Sequence, residues 1–520
     1  MHRMRLLVAA TVCATALLLG ACGGSSSPAS DSASPSGAPV SGGHARIILI
    51  NDVRTLDPVV LGNAFTVGAL VGNALYGTLL RADETGVVRS SMAESFTTTD
   101  GGATFTLKLR PGLVFSDGTP LNAEAVRFNW DRAKDPTTGS TARAEASVIT
   151  SSAVVDATTL SVSLASPSPR YAESILTSTL NWIASPAALR QGREAFDARP
   201  IGAGPFTLRS WTRNSTLELT RNSRYWDQPR PYLASLTLRA VPDATQRLNT
   251  VVTGGADLAI ESSPANLGKA TDAGLATAVM PLSGGTLIAL NSRRPPFDDI
   301  RARRALALAL DMDDLNLAVY NGAAEPATTL FTKSSPFYSD TPLRRTDRPA
   351  AQRLFDELAA AGKPLTFTYT NVPTSENRLT AENVQAQLSR FRNVKVEIRT
   401  IQVAELAALR TTHDFDAATS TAIFIDPEPR LATVFAGNSL ANLSGVADPE
   451  LDRALRTGGS ASSEADRRAA YGTVQKRLAD LVPAVFLMRT TPGVVANARV
   501  SGFEQYGLGS LLPDQLWMDD

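Results

Sequence analysis

His413, followed at once by Asp414 and Asp416, is where residue types and spacing in this 520-residue chain come nearest to catalysis. An imidazole steadied by a carboxylate is the usual general base of a hydrolase. Such a base needs a nucleophile, and the chain has no G-x-S-x-G elbow to supply one. It also lacks H-E-x-x-H, the P-loop and the Rossmann fingerprint. His44 is the only other histidine beyond residue 21, and neither has a second ligand at metal-binding spacing. The two cysteines, Cys13 and Cys22, both precede the globular part, which excludes a disulfide framework or a cysteine metal site there. An exported hydrolase built on His413 or on paired carboxylates is therefore the lesser reading. The expectation from these absences is no enzymatic activity, no cofactor and no metal.

Lys and Arg balance Asp and Glu at 50 each, so nothing in the charge calls for a nucleic acid or a broadly anionic partner. Arg301, Arg303 and Arg304 resemble an anion site, but on a helix beginning at Ile300 they read as a solvated face. The N-terminus is more specific. Arg3 and Arg5 precede the apolar run Leu6–Leu19, which is short for a transmembrane helix and right for a signal peptide. The run ends in Leu19-Gly20-Ala21-Cys22, which resembles a bacterial lipobox. That resemblance implies cleavage before Cys22 and acylation of its thiol and its new amino group; two or more chains are needed for stable anchoring. Removing residues 1–21 takes away two arginines and no acid, leaving a net charge of −2. Residues 22–43, rich in Gly and Ser, cannot bury apolar surface and read as a tether with a reach of roughly 25 Å.

The elements that must position any site follow from periodicity. Ala103–Arg110 alternates Phe105, Leu107 and Leu109 against Thr104, Thr106 and Lys108, a half-buried strand. Pro111-Gly112 stops it, and Asn122 caps a helix that follows a turn-rich loop. Arg46–Asn51 reads as a buried strand, and further strands fall at 159–165, 206–211, 216–220 and 236–240. Later, Leu365–Thr370, a helix over Ser375–Phe391 with Leu379, Val384, Leu388 and Phe391 inward, and Val394–Ile401 spell strand, helix and strand. That order predicts a parallel βαβ unit.

The segment TFTLKLRPGLVFSDGTPLNAEAVRFNWDRAKDP closely resembles the signature of bacterial extracellular solute-binding proteins of family 5, the oligopeptide-, dipeptide- and nickel-binding receptors of ABC importers. Leu56-Asp57-Pro58, Leu75–Leu80, Ser91–Phe96, Ile201–Phe206, Asn222–Trp226, Gly255–Ala259, Ala289–Leu310 and Ile425–Pro429 continue the likeness in order, over roughly residues 46 to 500. The resemblance implies an α/β, two-lobed fold of the periplasmic-binding-protein type II (Venus-flytrap) kind, with mixed sheets and an extra subdomain at about 86–200. Lobe I would comprise 44–297 and 487–520, and lobe II 298–486. It also implies a monomer that clamps a solute between lobes outside the cell and passes it to the permease and ATPase subunits of an importer.

In peptide-binding members an aspartate in the GDPDP-type loop pairs with the ligand's α-amino group, and Asp426 matches it here. Ile423 stands where many members carry Trp, and Phe424 beside it can line the same wall. Asn63 and Phe65, in the loop 62–66, match an edge that runs along the peptide; Asn442 and Trp182 complete the expected substrate-binding set. The same scaffold could instead bind an oligosaccharide or a metal chelate.

Overall fold

Strand His44–Leu49 buries Ala45, Ile47, Ile48 and Leu49 because it has a parallel neighbour on each side. Ile47 is opposite Leu238 of Ser235–Ala240 and also opposite Leu258 of Leu258–Glu261, so both faces of the strand are covered. These three strands form the middle of a seven-stranded mixed sheet. Gly493–Ala496 and Ala276–Val279 extend it on one side, Thr216–Arg221 and Phe206–Thr212 on the other. The computed structural model describes residues 38–66, 68–83, 86–402 and 405–519. The signal peptide, Cys22 and most of the tether lie outside the described residues.

The signature stretch forms the second strand of a four-stranded antiparallel sheet, ordered Ala93–Thr97, Thr104–Leu109, Thr159–Leu164, Ile149–Val154. Phe105, Leu107 and Leu109 are buried and Thr106 and Lys108 exposed, as the alternation predicts. Helix Ala123–Lys134 covers this face. Asn122 Oδ1 caps it by accepting from Ala125 N at 3.0 Å, and the Trp130 indole donates to Leu180 O at 2.8 Å. Gly202 and Gly204 of the IGAGPF loop pack onto the end of helix Ala69–Tyr76. A Cβ at either would lie 2.2 to 2.4 Å from a carbonyl oxygen of Ala74 or Leu75, so the glycines are there for close backbone approach.

A five-stranded sheet is ordered Val394–Thr400, Leu365–Asn371, Ala417–Phe424, Ser283–Leu290, Ala484–Phe486. Leu365–Asn371 and Val394–Thr400 pair in parallel, Leu365 opposite Val394, across helix Ser375–Leu388, which is the βαβ unit the sequence predicts. Val384 and Leu388 point inward as expected, whereas Leu379 is exposed. The buried stripe runs through Thr380, Ala381, Val384, Gln387 and Leu388, and Leu379 sits just off it. Arg303 also departs from the solvated face expected for it. It is buried, donating to Phe297 O and Leu481 O, while Arg301 pairs with Asp299 and Arg304 reaches Asp480 O.

The chain passes from the seven-stranded to the five-stranded sheet between Val279 and Ser283, and returns between Phe486 and Gly493. Ser283–Leu290 thus belongs to the second sheet although it precedes residue 298. Residues 38–519 belong to one compact unit.

Candidate functional site

Strand Ala417–Phe424, the central strand of its sheet, ends in Ile425-Asp426-Pro427-Glu428-Pro429, whose two prolines cannot donate to a ladder. Asp426 Oδ1 accepts from Glu428 N at 3.0 Å, which fixes the loop. Both Asp426 carboxylate oxygens also accept from Arg467 Nη2, at 2.7 and 2.9 Å. Arg467 comes from the start of helix Glu464–Leu481, which Ser463 caps. It is buried, its Nε donating to Gly458 O and its guanidinium lying 4.8 Å from the Phe337 ring centre.

This loop forms one wall of a cavity of about 930 Å³. Phe96, Phe105, Arg89, Arg170 and Glu173, from the four-stranded sheet and its neighbours, line one side. Ser283, Thr332, Phe337, Asp426 and Arg467 line the other, with Met280 and Pro281 of the crossover between them. The volume lies towards the upper end of the roughly 300–1,000 Å³ usual for ligand sites. A smaller chamber of about 230 Å³ adjoins it and shares Gly86, Glu173, Ile425 and Asp426 as wall. Gly86 meets Ile425 there: a Cβ at Gly86 would lie 2.6 Å from Ile425 Cγ2.

Most of the charge around the cavities is paired: Glu94 with Lys108, Glu173 with Arg170, Asp426 with Arg467 and Glu464 with Arg468. Six carboxyls (Glu94, Glu145, Glu173, Asp426, Glu428 and Glu464) line the two cavities against four guanidiniums, those of Arg89, Arg170, Arg430 and Arg467. Burial first, and then the Asp426 charge, push the Glu428 carboxyl up to about 8. The same two causes raise Glu173, and burial raises Glu145. Carboxyls so placed gain from a cation that can share their charge in a dehydrated site. Among the described residues no group of three or more His, Cys, Asp or Glu is arranged to hold a metal ion.

Of the residues expected from sequence, Asp426 and Phe424 line these cavities. Phe424 is otherwise buried, edge-on to Phe331 with ring centres 5.6 Å apart. Asn63 stands behind the smaller chamber. Its amide donates to Ser178 O at 3.2 Å and Leu176 O at 3.5 Å, bracketing Thr177 in the chamber wall, and it accepts from Ser510 Oγ. Phe65 packs partly buried against the core beneath the seven-stranded sheet. Trp182 is in that core, its indole donating to Asn73 Oδ1 at 3.0 Å. Asn442 is fully buried and ties its own loop, donating to Ala436 O and Val446 O and accepting from Ser444 Oγ and Gly445 N. Asp414 and Asp416, the prospective partners of His413, are instead held by Arg294 at 2.9 and 2.7 Å.

The residues that sequence reasoning missed are Arg467, Glu173, Glu428 and Glu145. Arg467 is buried in helix Glu464–Leu481, and no local signal in the sequence marks it as such.

Residues 87–441 match the family model described as bacterial extracellular solute-binding proteins, family 5 Middle. The chain is a family 5 solute-binding protein. A glutathione-binding protein, GsiB of Escherichia coli K12, is 30% identical over 366 residues, 69% of each chain. Among solved structures, the receptor shares its fold with the periplasmic binding protein AgaA from A. tumefaciens R10, in complex with agropinic acid. The TM-score is 0.80 at 23% identity, over 92% of this chain and 99% of that one. Helicobacter pylori DppA in complex with the peptide STSA matches equally, at a TM-score of 0.80 and 20% identity over 92% and 99%. The fold of this family 5 receptor is thus the periplasmic-binding-protein type II fold that the resemblance implied.

Proposed function

We propose that this family 5 receptor captures short peptides with a free amino end and delivers them to the permease of an ABC importer. The observation that carries the reading is the 930 Å³ cavity with Asp426 on its wall. An α-amino group entering there would share Asp426 with Arg467, and the neighbouring acids would offset the cost of stripping its water. A relative named for glutathione and a fold neighbour in complex with the peptide STSA support a ligand of this class.

In this reading two lobes close on the ligand, one built on the seven- and four-stranded sheets and the other on the five-stranded sheet. The hinge segments would be Met280–Leu282 and Leu487–Pro492, where the chain changes sheets. A ligand touching both walls favours the closed form by its differential affinity for it. Acyl chains on Cys22 would hold the receptor at the membrane through the 22–43 tether, so that loaded and empty forms meet the permease without leaving the surface. Asn63 supports the wall from behind, and Phe424 supplies apolar surface to it.

A second reading, a non-peptide solute, draws on one observation: Asp426 already has Arg467 as its partner. Isothermal titration of Ala-Ala-Ala and its N-acetyl form separates the two. Replacing Asp426 with Ala should weaken the free-amine peptide far more than the acetylated one; equal losses would sink the peptide reading.

A further inference from the structure

The smaller chamber is the least explained space in the molecule. At about 230 Å³ it is below the size of a whole-ligand site. At about 30 Å³ per water it has room for roughly eight waters, enough for one long side chain. Its walls are of two kinds. Leu176, Ile423, Phe424, Pro429 and Leu508 offer apolar surface; Glu145, Glu173, Asp426 and Glu428 offer carboxyls, with one guanidinium, that of Arg430, among them. An aliphatic stem with a charged end matches that mixture, since the stem needs apolar contact and the head needs acids.

Three arginines stand against the chamber's four acids: Arg430 lines the chamber itself and its charge acts on Glu145, and two more pair with acids of the wall. Glu173 pairs with Arg170 at 3.2 Å and Asp426 with Arg467. Glu145 Oε2 is buried without a hydrogen-bond partner. Glu428 receives a long 3.5 Å contact from the Tyr471 hydroxyl, and its stem is pinned under Gly459, where a Cβ would lie 3.0 Å from Glu428 Cδ. Two carboxyls therefore line an apolar-walled hole with their hydrogen-bonding capacity unspent. A hole lined this way suits an organic cation rather than a metal ion.

We infer that this chamber is a subsite for an alkyl-guanidinium or alkyl-ammonium group, so that the preferred ligand carries a basic side chain beside the amino end held near Asp426. The assignment deepens the peptide reading and rests on it for the position of the amino end, although the chamber's own preference can be read without a peptide. Glu428 is the principal acceptor. Arg467 and Tyr471 face it from helix Glu464–Leu481, and Asp426 and Arg430 from its own segment. Glu145 and Glu173 line the same chamber from the opposite wall. Burial and the Asp426 charge keep Glu428 protonated near neutrality, so an arriving cation displaces a proton.

The test compares Arg-Ala-Ala and Lys-Ala-Ala with Met-Ala-Ala, whose side chain is of similar length and uncharged, by titration calorimetry at pH 7 in two buffers of different ionisation enthalpy. Agmatine, an alkyl-guanidinium without a peptide bond, is the independent probe. The expectation is a preference of about tenfold or more for the basic peptides. Close to one proton should be released on binding, and Glu428→Gln should abolish both effects. Glu145→Gln should reduce the preference, and equal binding of all three peptides to the wild-type receptor would overturn the subsite, whatever the variants do. If no peptide binds but agmatine does, with proton release, the subsite stands and the peptide reading falls. If neither binds, both fall.

Discussion

Arg467 Nη2 donates to both carboxylate oxygens of Asp426, at 2.7 and 2.9 Å, and so ties the loop after strand Ala417–Phe424 to the start of helix Glu464–Leu481. The two are 41 residues apart in sequence, and the Arg467 side chain is only 4% exposed. One wall of the cavity is therefore set by a buried ion pair. Removing one partner of such a pair leaves the other charge uncompensated, which costs more than the pair itself contributes.

Arg467→Ala should accordingly lower unfolding stability by roughly 3 kcal/mol, read from denaturant midpoints. A loss below about 0.5 kcal/mol, the range of an ordinary surface change, would show that solvent already screens the pair.

Stability should also fall as pH rises. The Glu428 carboxyl has an ordinary value of 4.5 and is pushed up to about 8 in the folded protein. Between those values the folded state binds more protons than the unfolded one, so stability is full below 4.5 and drains away as pH climbs to about 8. One such group limits the slope to about 1.4 kcal/mol per pH unit. Glu173 and Glu145 act with the same sign. Glu428→Gln should flatten the curve over that window in thermal melts; an unchanged profile would mean that other groups set it.

Gly86 and Ile425 make the seam between the two cavities. Gly86→Ala adds a Cβ 2.6 Å from Ile425 Cγ2 and strains a residue at φ +84°. The strain is common to any arrangement of the walls, whereas the clash arises only when they meet. Ligand affinity should fall by about tenfold, the equivalent of 1.4 kcal/mol, and Ile425→Ala in the same chain should recover most of it. No recovery in the double variant would place the whole effect in backbone strain.

Cys22→Ser removes the thiol that the proposed anchor requires. The wild-type receptor should sediment with membranes and the variant should appear in the soluble extracytoplasmic fraction, as immunoblots of the fractions would report. Equal membrane association of both would remove the lipid from the account.

Much of this scaffold was legible because its signals are local. The alternation of Phe105, Leu107 and Leu109, the Asn122 cap and the strand–helix–strand order after Leu365 each depend on a few neighbouring residues. Leu379 shows the limit of that reading, since an apolar residue one position off the buried stripe faces water. The site was less legible. Asp426 could be picked out by its loop, which also carries Glu428, but Arg467, Glu173 and Glu145 reach that loop only through long-range packing. Their charges, read locally, belong on a surface. Asn442 ties its own loop and Trp182 fills a core, and such residues carry the same letters as ones that touch a ligand.

Native mass spectrometry of the receptor purified from its host, beside the Asp426→Ala variant, asks most directly what occupies the large cavity. The account predicts bound mass from short peptides with a free amino end, basic ones enriched, in the wild-type protein and its loss from the variant. A bound solute without an amino group, or the same occupant retained at equal level by the variant, would contradict it.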